Sequence, residues 1–326
     1  MRKNVSFVIS VVVVIFFVLI VASQPTFGQR RWPAGTPKLP MAKTWLAHKA
    51  TLPPYTAPRT PWGVPDLQGE WGGAGGGGGD DMEEHDYVDI TTPPQESYIS
   101  DPVDGKIPYT SWALAKRNEM RAGLARGWPG EAAERLFADP ASYCITMLGP
   151  RAGIGEIIQR PDEVIMVTAR VHRVIPTDGR PHIGGRAKFW RGNPRGRWEG
   201  DTLVVDVTSL NGLHWLDSVG NFYSENTRIT ERFRLVDANM MDYEINFEDP
   251  TIYTRPWTMS YPRRRAGTGA VDRETGEYAW RDTVAVASDP YARERWENSC
   301  NEGVGNTITG LHETGFQWFR GVTPPR

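Results

Sequence analysis

The chain has 326 residues, of which 23% are charged and 39% hydrophobic, and its formal net charge is −2. This composition is too apolar for a disordered tail, and it lacks the basic footprint of a nucleic-acid-binding protein. Two cysteines are too few for a disulfide-rich scaffold or a four-cysteine metal site. We therefore expect a folded protein with no nucleic-acid partner.

The first 28 residues have the pattern of a secretory signal peptide. Arg2 and Lys3 form a basic start, Val5 to Ala22 is a nearly pure apolar run, and small residues precede Gln29 at the expected cleavage site. An uncleaved anchor is the alternative, because a run of this length could just span a bilayer. We expect cleavage near Gly28, a periplasmic or secreted protein, and no membrane contact except through this segment before cleavage.

Export would place the two cysteines, Cys144 and Cys300, in an oxidising compartment that favours joining them. The disulfide would close a long loop and thereby restrict the unfolded chain. Two buried free thiols or a cysteine nucleophile are the alternatives. We expect the disulfide.

The segment from Gln29 to Pro65 contains eight prolines, a density that disfavours regular helix and central strand. It predicts an extended arm that packs along the main body, with Trp32, Trp45 and Trp62 as anchoring side chains. Residues 66–326 are expected to form a single β-rich domain.

A glycine run from Gly72 to Gly79 is followed by five acidic residues. The run satisfies a dinucleotide-binding pattern only trivially, and acidic side chains are the wrong charge beside a phosphate. We interpret this part as a surface loop, with a weak calcium site as the alternative, because carboxylates are calcium ligands.

Helix signals are confined to the region before residue 140. Ser111 to Gly127 combines a capping residue, good helix formers and a terminal glycine, and therefore predicts a helix. A second short helix is predicted from Pro129 to Phe137, because proline is favoured in the first helical turn.

Beyond Glu156 the hydrophobic pattern alternates with period two, which is typical of strands. Turns are predicted at Asn193–Gly196 and Asp237–Asn239. Many short strands without intervening helices favour a mostly β fold, an antiparallel β-barrel or sandwich with a small N-terminal helical segment. The strand candidates are 163–171, 186–190, 202–208, 227–236 and 240–248.

Several motifs in this region resemble a family of exported bacterial proteins. They are Pro65-Asp-Leu-Gln-Gly-Glu-Trp71, Gly149-Pro-Arg151, Arg173-Val-Ile-Pro-Thr-Asp-Gly-Arg-Pro-His182, Gly196-Arg-Trp-Glu-Gly-Asp-Thr-Leu-Val-Val-Asp206 and Asp249-Pro-Thr-Ile-Tyr-Thr-Arg-Pro-Trp-Thr258. The resemblance covers most of residues 60–305. It implies export and a β-rich body, and it supplies no reaction. The fourth motif is also loosely similar to hairpins of lipocalin-like barrels. Asn301 stands where the family has a histidine, so a role that depends on that histidine does not transfer.

Strand parity singles out Glu231 as a candidate catalytic residue. It shares a face of its predicted strand with Ile229 and Phe233. A carboxyl group in an apolar cavity has a raised pKa and can act as a general acid or base. The alternative is a structural glutamate that bonds a neighbouring Arg or Tyr.

Two histidines, His172 and His182, flank the predicted turn at Thr177-Asp178-Gly179. If the flanks form a hairpin, a three-residue loop puts both imidazoles on one face, and a two-residue loop puts them on opposite faces. Only the first arrangement allows a shared ligand site. Together with His214 they match no compact zinc motif, so we predict no metal site.

The loop from Asn211 to Asp217 holds a second candidate group. His214 and Asp217 could orient one another as proton carriers, and Trp215 could cover a ligand at a barrel mouth. The competing interpretation is a plug in which Trp215 closes the barrel.

The 13 tryptophans often lie beside arginine. Arg stacked on Trp is a stable surface motif, and the same pairs can grip an aromatic, sugar or carboxylate ligand. The predicted ligand-binding residues are Trp198, Trp215, Arg255, Trp257, His172 and His182.

These observations favour an exported binding protein for a small, partly apolar or aromatic molecule. An acid–base enzyme (a lyase, isomerase or hydrolase) is the first alternative; it would use Glu231 or the His214–Asp217 pair near Arg255. A structural envelope protein with a filled barrel is the second. No serine-hydrolase elbow, Walker loop or kinase motif is present, and we expect no cofactor.

Overall fold

A computed structural model describes residues 38–73, 81–85, 94–123, 140, 154–167, 172–184, 187–265 and 319–325. The predicted signal segment, the second helix at 129–137 and both cysteines of the expected disulfide lie outside these residues. The signal peptide and the disulfide therefore stay predictions.

The described residues form one antiparallel sheet, which confirms the prediction of a mostly β fold. Its hydrogen-bonded order is β5-β4-β3-β1-β10-β9-β8-β7-β6, and β2 pairs with β10 beside this path. The strands are β1 Gly69–Gly73, β2 Ile99–Asp101, β3 Gly155–Gln159, β4 Glu163–Val167, β5 His172–Pro176, β6 Asn193–Glu199, β7 Thr202–Thr208, β8 Arg228–Leu235, β9 Met240–Glu248 and β10 Trp257–Arg265.

Alternation of side chains gives the sheet one buried face. In β8 every second residue, from Ile229 to Leu235, is buried, as the period of a strand requires. The register places Phe233 of β8 between Leu203 of β7 and Tyr243 of β9. The core is therefore built from rows of apolar and aromatic residues that run across neighbouring strands.

Strand β5 lies at one end of the sheet order and β6 at the other, yet the two strands pack against each other. A Cβ atom placed on Gly196 of β6 would lie 2.9 Å from the Cγ2 atoms of both Ile175 and Thr177. Among the described residues no ladder of hydrogen bonds joins β5 to β6. The sheet is thus barrel-like and curved around its buried face, without being closed.

The part of the chain that the structure describes has two helices beside the sheet, α1 from Ala42 to Lys49 and α2 from Ser111 to Ala122. Helix α2 confirms the prediction for the part before Gly123. The prediction of an arm without regular helix is wrong at α1, because this stretch contains no proline between Pro40 and Pro53.

Helix α1 covers the outer face of the sheet at β9. Trp45 is fully buried, and its Nε1 donates to Asp242 Oδ1 at 2.9 Å, while Lys49 Nζ lies 2.9 Å from Asp242 Oδ2. The expected anchoring role of Trp45 therefore agrees with its burial. Asp242, which strand parity places on the solvent side, is buried beneath the helix.

Strand bounds were predicted well where the alternation is regular and poorly where turn residues interrupt it. Thr202–Thr208 and Met240–Glu248 match β7 and β9, and the loop Asp237–Asn239 joins β8 to β9. The turn predicted at Asn193–Gly196 is wrong, since these residues begin β6. The described part of the 186–190 candidate contains only an isolated bridge, from Phe189 to Leu210.

We predict that Gly196→Val lowers the free energy of unfolding, because its side chain would collide with Ile175 and Thr177 and push β5 away from β6. The expected loss, measured by urea unfolding, is about 1–3 kcal/mol. Gly184→Val is the control, since a Cβ at that position meets no atom within 4 Å. Equal stability of the two variants would contradict the packing of β5 on β6.

Candidate functional site

Glu231 lies on the buried face of the sheet, as strand parity predicts, and is 3% exposed. Its carboxylate is bound on both oxygens. Oε2 accepts a hydrogen bond from Arg173 Nη2, and Oε1 accepts one from the Tyr243 hydroxyl at 2.6 Å. Arg173 belongs to β5 and Tyr243 to β9, so the group joins three strands through the interior.

The ion pair with Arg173 decides the charge of Glu231. Burial alone would raise the pKa of this carboxyl, but the Arg173 charge and hydrogen bond, the Tyr243 hydrogen bond and the Arg191 charge outweigh burial and lower it. These contacts match the alternative of a glutamate bonded to a neighbouring Arg and Tyr, and the pKa is lowered, not raised as it would be in an apolar cavity. Glu231 is an ionised structural partner at neutral pH, with both oxygens engaged.

Arg191, in the segment before β6, brings a second positive charge to the same group. The residue is half-buried, and its Nε and Nη1 atoms are inaccessible to solvent and have no hydrogen-bond acceptor. Burial and the nearby charge of Arg173 lower the pKa of Arg191 to about 10. The guanidinium thus remains charged at neutral pH, without a bonded counter-ion.

Aromatic rings surround the carboxylate. Tyr243 stacks on Phe233 with ring centroids 4.7 Å apart and meets Tyr261 edge-on at 5.3 Å. Arg263 of β10 lies 4.8 Å from the Tyr261 ring centroid, and its Nη2 donates to the Tyr261 hydroxyl at 3.1 Å. We call Arg173, Arg191, Glu231, Tyr243 and Tyr261 the interior polar cluster.

The sequence singles out Glu231 and places neither arginine beside it, although Arg191 is one of the arginines that follow a tryptophan. Arg173 alternates with Ile175 on one face of β5, so strand parity offered a signal for its burial. Arg191 lies outside the strands, and no periodic pattern marks it.

The two candidate histidines do not form the expected hairpin pair. Strand β5 pairs with the preceding strand β4, where His172 lies opposite Val167. His172 is exposed. The Nδ1 atom of His182 is half-buried 3.3 Å from Asn193 Oδ1 and 3.1 Å from Thr208 Oγ1.

His214 and Asp217 are both fully buried in the loop before β8. The Nδ1 atom of His214 lies 2.5 Å from the Trp215 carbonyl oxygen. Asp217 Oδ1 accepts from the backbone N–H groups of Val219 and Asn221, at 3.1 and 3.0 Å. These contacts shape the loop itself, which favours a structural role for the pair.

A second group of polar side chains joins this loop to helix α2 and to the segment 81–85. Arg117 of α2 donates from Nε to Asn221 Oδ1 at 3.0 Å and from Nη2 to Glu83 at 3.0 Å. Asp217 Oδ2 accepts from the Met82 N–H at 3.2 Å. Burial, and then the charge of Asp81, raise the pKa of Asp217 to about 7.

The remaining predicted ligand-binding residues lie in different environments. Trp257 is fully buried and stacks on Phe247 with centroids 4.2 Å apart, and fully buried Trp215 meets Phe319 edge-on at 5.8 Å. Trp198 is half-buried against the core. Arg255 is exposed in an ion pair with Asp101. The two fully buried rings and the exposed arginine do not share one surface.

Within the described ranges, no group of three or more His, Cys, Asp or Glu side chains is arranged to hold a metal ion. Neither described helix has the length and apolar character of a membrane span. No protein-family model matches the sequence, and the chain has no significant match among curated proteins or solved structures. The resemblance to a family of exported bacterial proteins stays a prediction.

The raised pKa of Asp217 predicts a pH dependence of stability. The folded protein holds the Asp217 proton more tightly than the unfolded chain, whose carboxyl has the ordinary pKa of 3.8. The resulting stabilisation is complete below pH 3.8 and is lost as the pH rises to about 7. We therefore expect the free energy of unfolding of the wild type to fall relative to that of Asp217→Asn as the pH rises over that range.

Urea unfolding at a series of pH values measures this difference. Asp178→Asn is the control, because Arg180 lowers the pKa of exposed Asp178. Its substitution should leave the pH dependence of the free energy of unfolding unchanged between pH 5 and pH 7. A stability difference between the wild type and Asp217→Asn that is constant with pH would contradict the raised pKa.

Proposed function

We propose that the protein binds a small, partly apolar molecule at the interior polar cluster. The observation that carries this proposal is the guanidinium of Arg191, a charged group whose buried Nε and Nη1 donors have no acceptor. An unsatisfied buried donor costs on the order of 1–3 kcal/mol, and more when it is charged. A bound molecule with hydrogen-bond acceptors would remove that cost.

The same observation argues against a purely structural interior. A filled barrel would be expected to satisfy its buried polar groups within the chain, as Glu231 does through Arg173 and Tyr243. Arg173 also keeps an unpaired buried Nε atom. Two guanidinium groups with free donors in one cluster resemble a recognition site more than a finished core.

An acid–base enzyme receives less support from these contacts. A general base needs a free lone pair within reach of its substrate, and a general acid needs a proton at working pH. The Glu231 carboxylate is held by Arg173 and Tyr243, which makes it a weaker base, and its lowered pKa leaves it without the proton that a general acid needs. Asp217 has a suitable pKa, but its Oδ1 accepts from the backbone of its own loop and its Oδ2 accepts from the Met82 N–H.

The aromatic lining sets the apolar character of the proposed ligand. Tyr243, whose hydroxyl donates to the Glu231 carboxylate, contacts the rings of Phe233 and Tyr261, so the neighbourhood of the cluster is aromatic. Small-molecule sites combine such rings with a few placed polar groups. With the expected signal peptide, the proposal describes a binding protein that works in the periplasm or outside the cell.

Native mass spectrometry of the exported protein, purified without denaturation, tests the proposal. We expect a small molecule retained at one per chain, released on unfolding, and absent from Arg191→Met. Arg234→Met is the control, because exposed Arg234 lies on the same strand as Glu231. Protein that retains no small molecule, or that retains it equally in Arg191→Met, would overturn the proposal.

A further inference from the structure

We infer that the ligand of the interior polar cluster is an anion, a small aromatic carboxylate or sulfonate whose charged group is bound by Arg191 together with Arg173. This inference rests on the proposed function and adds the charge and chemical class of the ligand. It follows from the balance of charge, from the free donors and from the aromatic residues that precede Arg191.

Charge is unbalanced within the cluster. Arg173 and Arg191 supply two positive charges against the single carboxylate of Glu231. The oxygens of that carboxylate accept from Arg173 and from Tyr243, and the buried Nε and Nη1 donors of Arg191 bond to neither oxygen. A neutral ligand would leave the second positive charge buried without a counter-ion, whereas an anion would compensate it.

The free donors match an oxyanion. Arg191 offers Nε and Nη1, and Arg173 offers Nε, all three buried without an acceptor. Carboxylate, sulfonate and phosphate groups present several acceptor oxygens at once, and a guanidinium binds them through short, charge-assisted hydrogen bonds. The mutual repulsion of the two arginines, which contributes to the lowered pKa of Arg191, would be relieved by such a group.

Two partly exposed aromatic residues directly precede Arg191 in the chain. Phe189 and Trp190 are 40% and 39% exposed, although large aromatic side chains are usually well buried. Their backbone is fixed, since Phe189 N–H donates to the Ser209 carbonyl at 2.8 Å and the Trp190 carbonyl accepts from the Tyr223 hydroxyl at 3.5 Å. An anion that reaches Arg191 from this side would bring its apolar body against these rings.

A matched pair of fluorescent probes tests the sign of the charge. 8-Anilino-1-naphthalenesulfonate and N-phenyl-1-naphthylamine share their aromatic body, but only the first carries a sulfonate. We expect the wild-type protein to bind the sulfonate at least about tenfold more tightly than the neutral amine, and Arg191→Gln to lose that preference while keeping its affinity for the amine.

Arg234→Gln is the matched control, and it should leave the affinities for both probes unchanged. Arg191→Gln removes a half-buried charge that has no bonded counter-ion, so it should unfold at the same temperature as the wild type or higher. Arg191→Lys, which keeps the charge but not the fork of donors, should retain part of the preference and serves if Arg191→Gln does not fold.

The outcomes separate the two proposals. Equal affinity of the wild type for both probes, or a sulfonate affinity that survives in Arg191→Gln, would overturn the inference of an anion and leave the proposed binding function standing. Failure of the wild type to bind either probe would overturn both.

Discussion

The ion pair between Arg173 and Glu231 constrains the whole sheet. Five strands lie between β5 and β8 in the sheet order, so their side chains can meet only if the sheet curves around its buried face. A buried carboxylate needs a counter-charge and hydrogen bonds to be tolerated, and the curvature supplies them from Arg173 and Tyr243. The absence of a side chain at Gly196 lets β5 approach β6 closely enough for this arrangement.

The same arrangement leaves an excess of positive charge. Glu231 neutralises Arg173, and Arg191 remains beside the pair with buried donors and no acceptor. A core optimised only for stability would more often hold apolar side chains at such a position, because desolvation of an ion is expensive. This uncompensated desolvation is the physical reason for the proposal that the cluster binds a ligand.

Local periodicity explains which buried residues and strand bounds could be predicted from the sequence and which could not. Glu231 was found because alternation in β8 is regular, and β7 and β9 were bounded for the same reason. Contacts that depend on distant segments gave no local signal. Arg173 meets Glu231 across the interior, and Asp242 is buried because α1, far away in the chain, covers it. The start of β6 was mistaken for a turn because Asn, Pro and Gly favour turns unless a neighbouring strand pairs with them.

The ionisation of Glu231 reports whether the buried ion pair with Arg173 exists in the folded protein. NMR titration of the side-chain carboxyl carbons, with the Glu231 resonance assigned by its loss in Glu231→Gln, follows this one group in the folded protein. We expect a midpoint below the ordinary value of 4.5, because Arg173 and Tyr243 stabilise the carboxylate more than burial destabilises it. A midpoint above 4.5 would show a protonated acid in an apolar cavity and contradict the ion pair on which the fold and the proposed site depend.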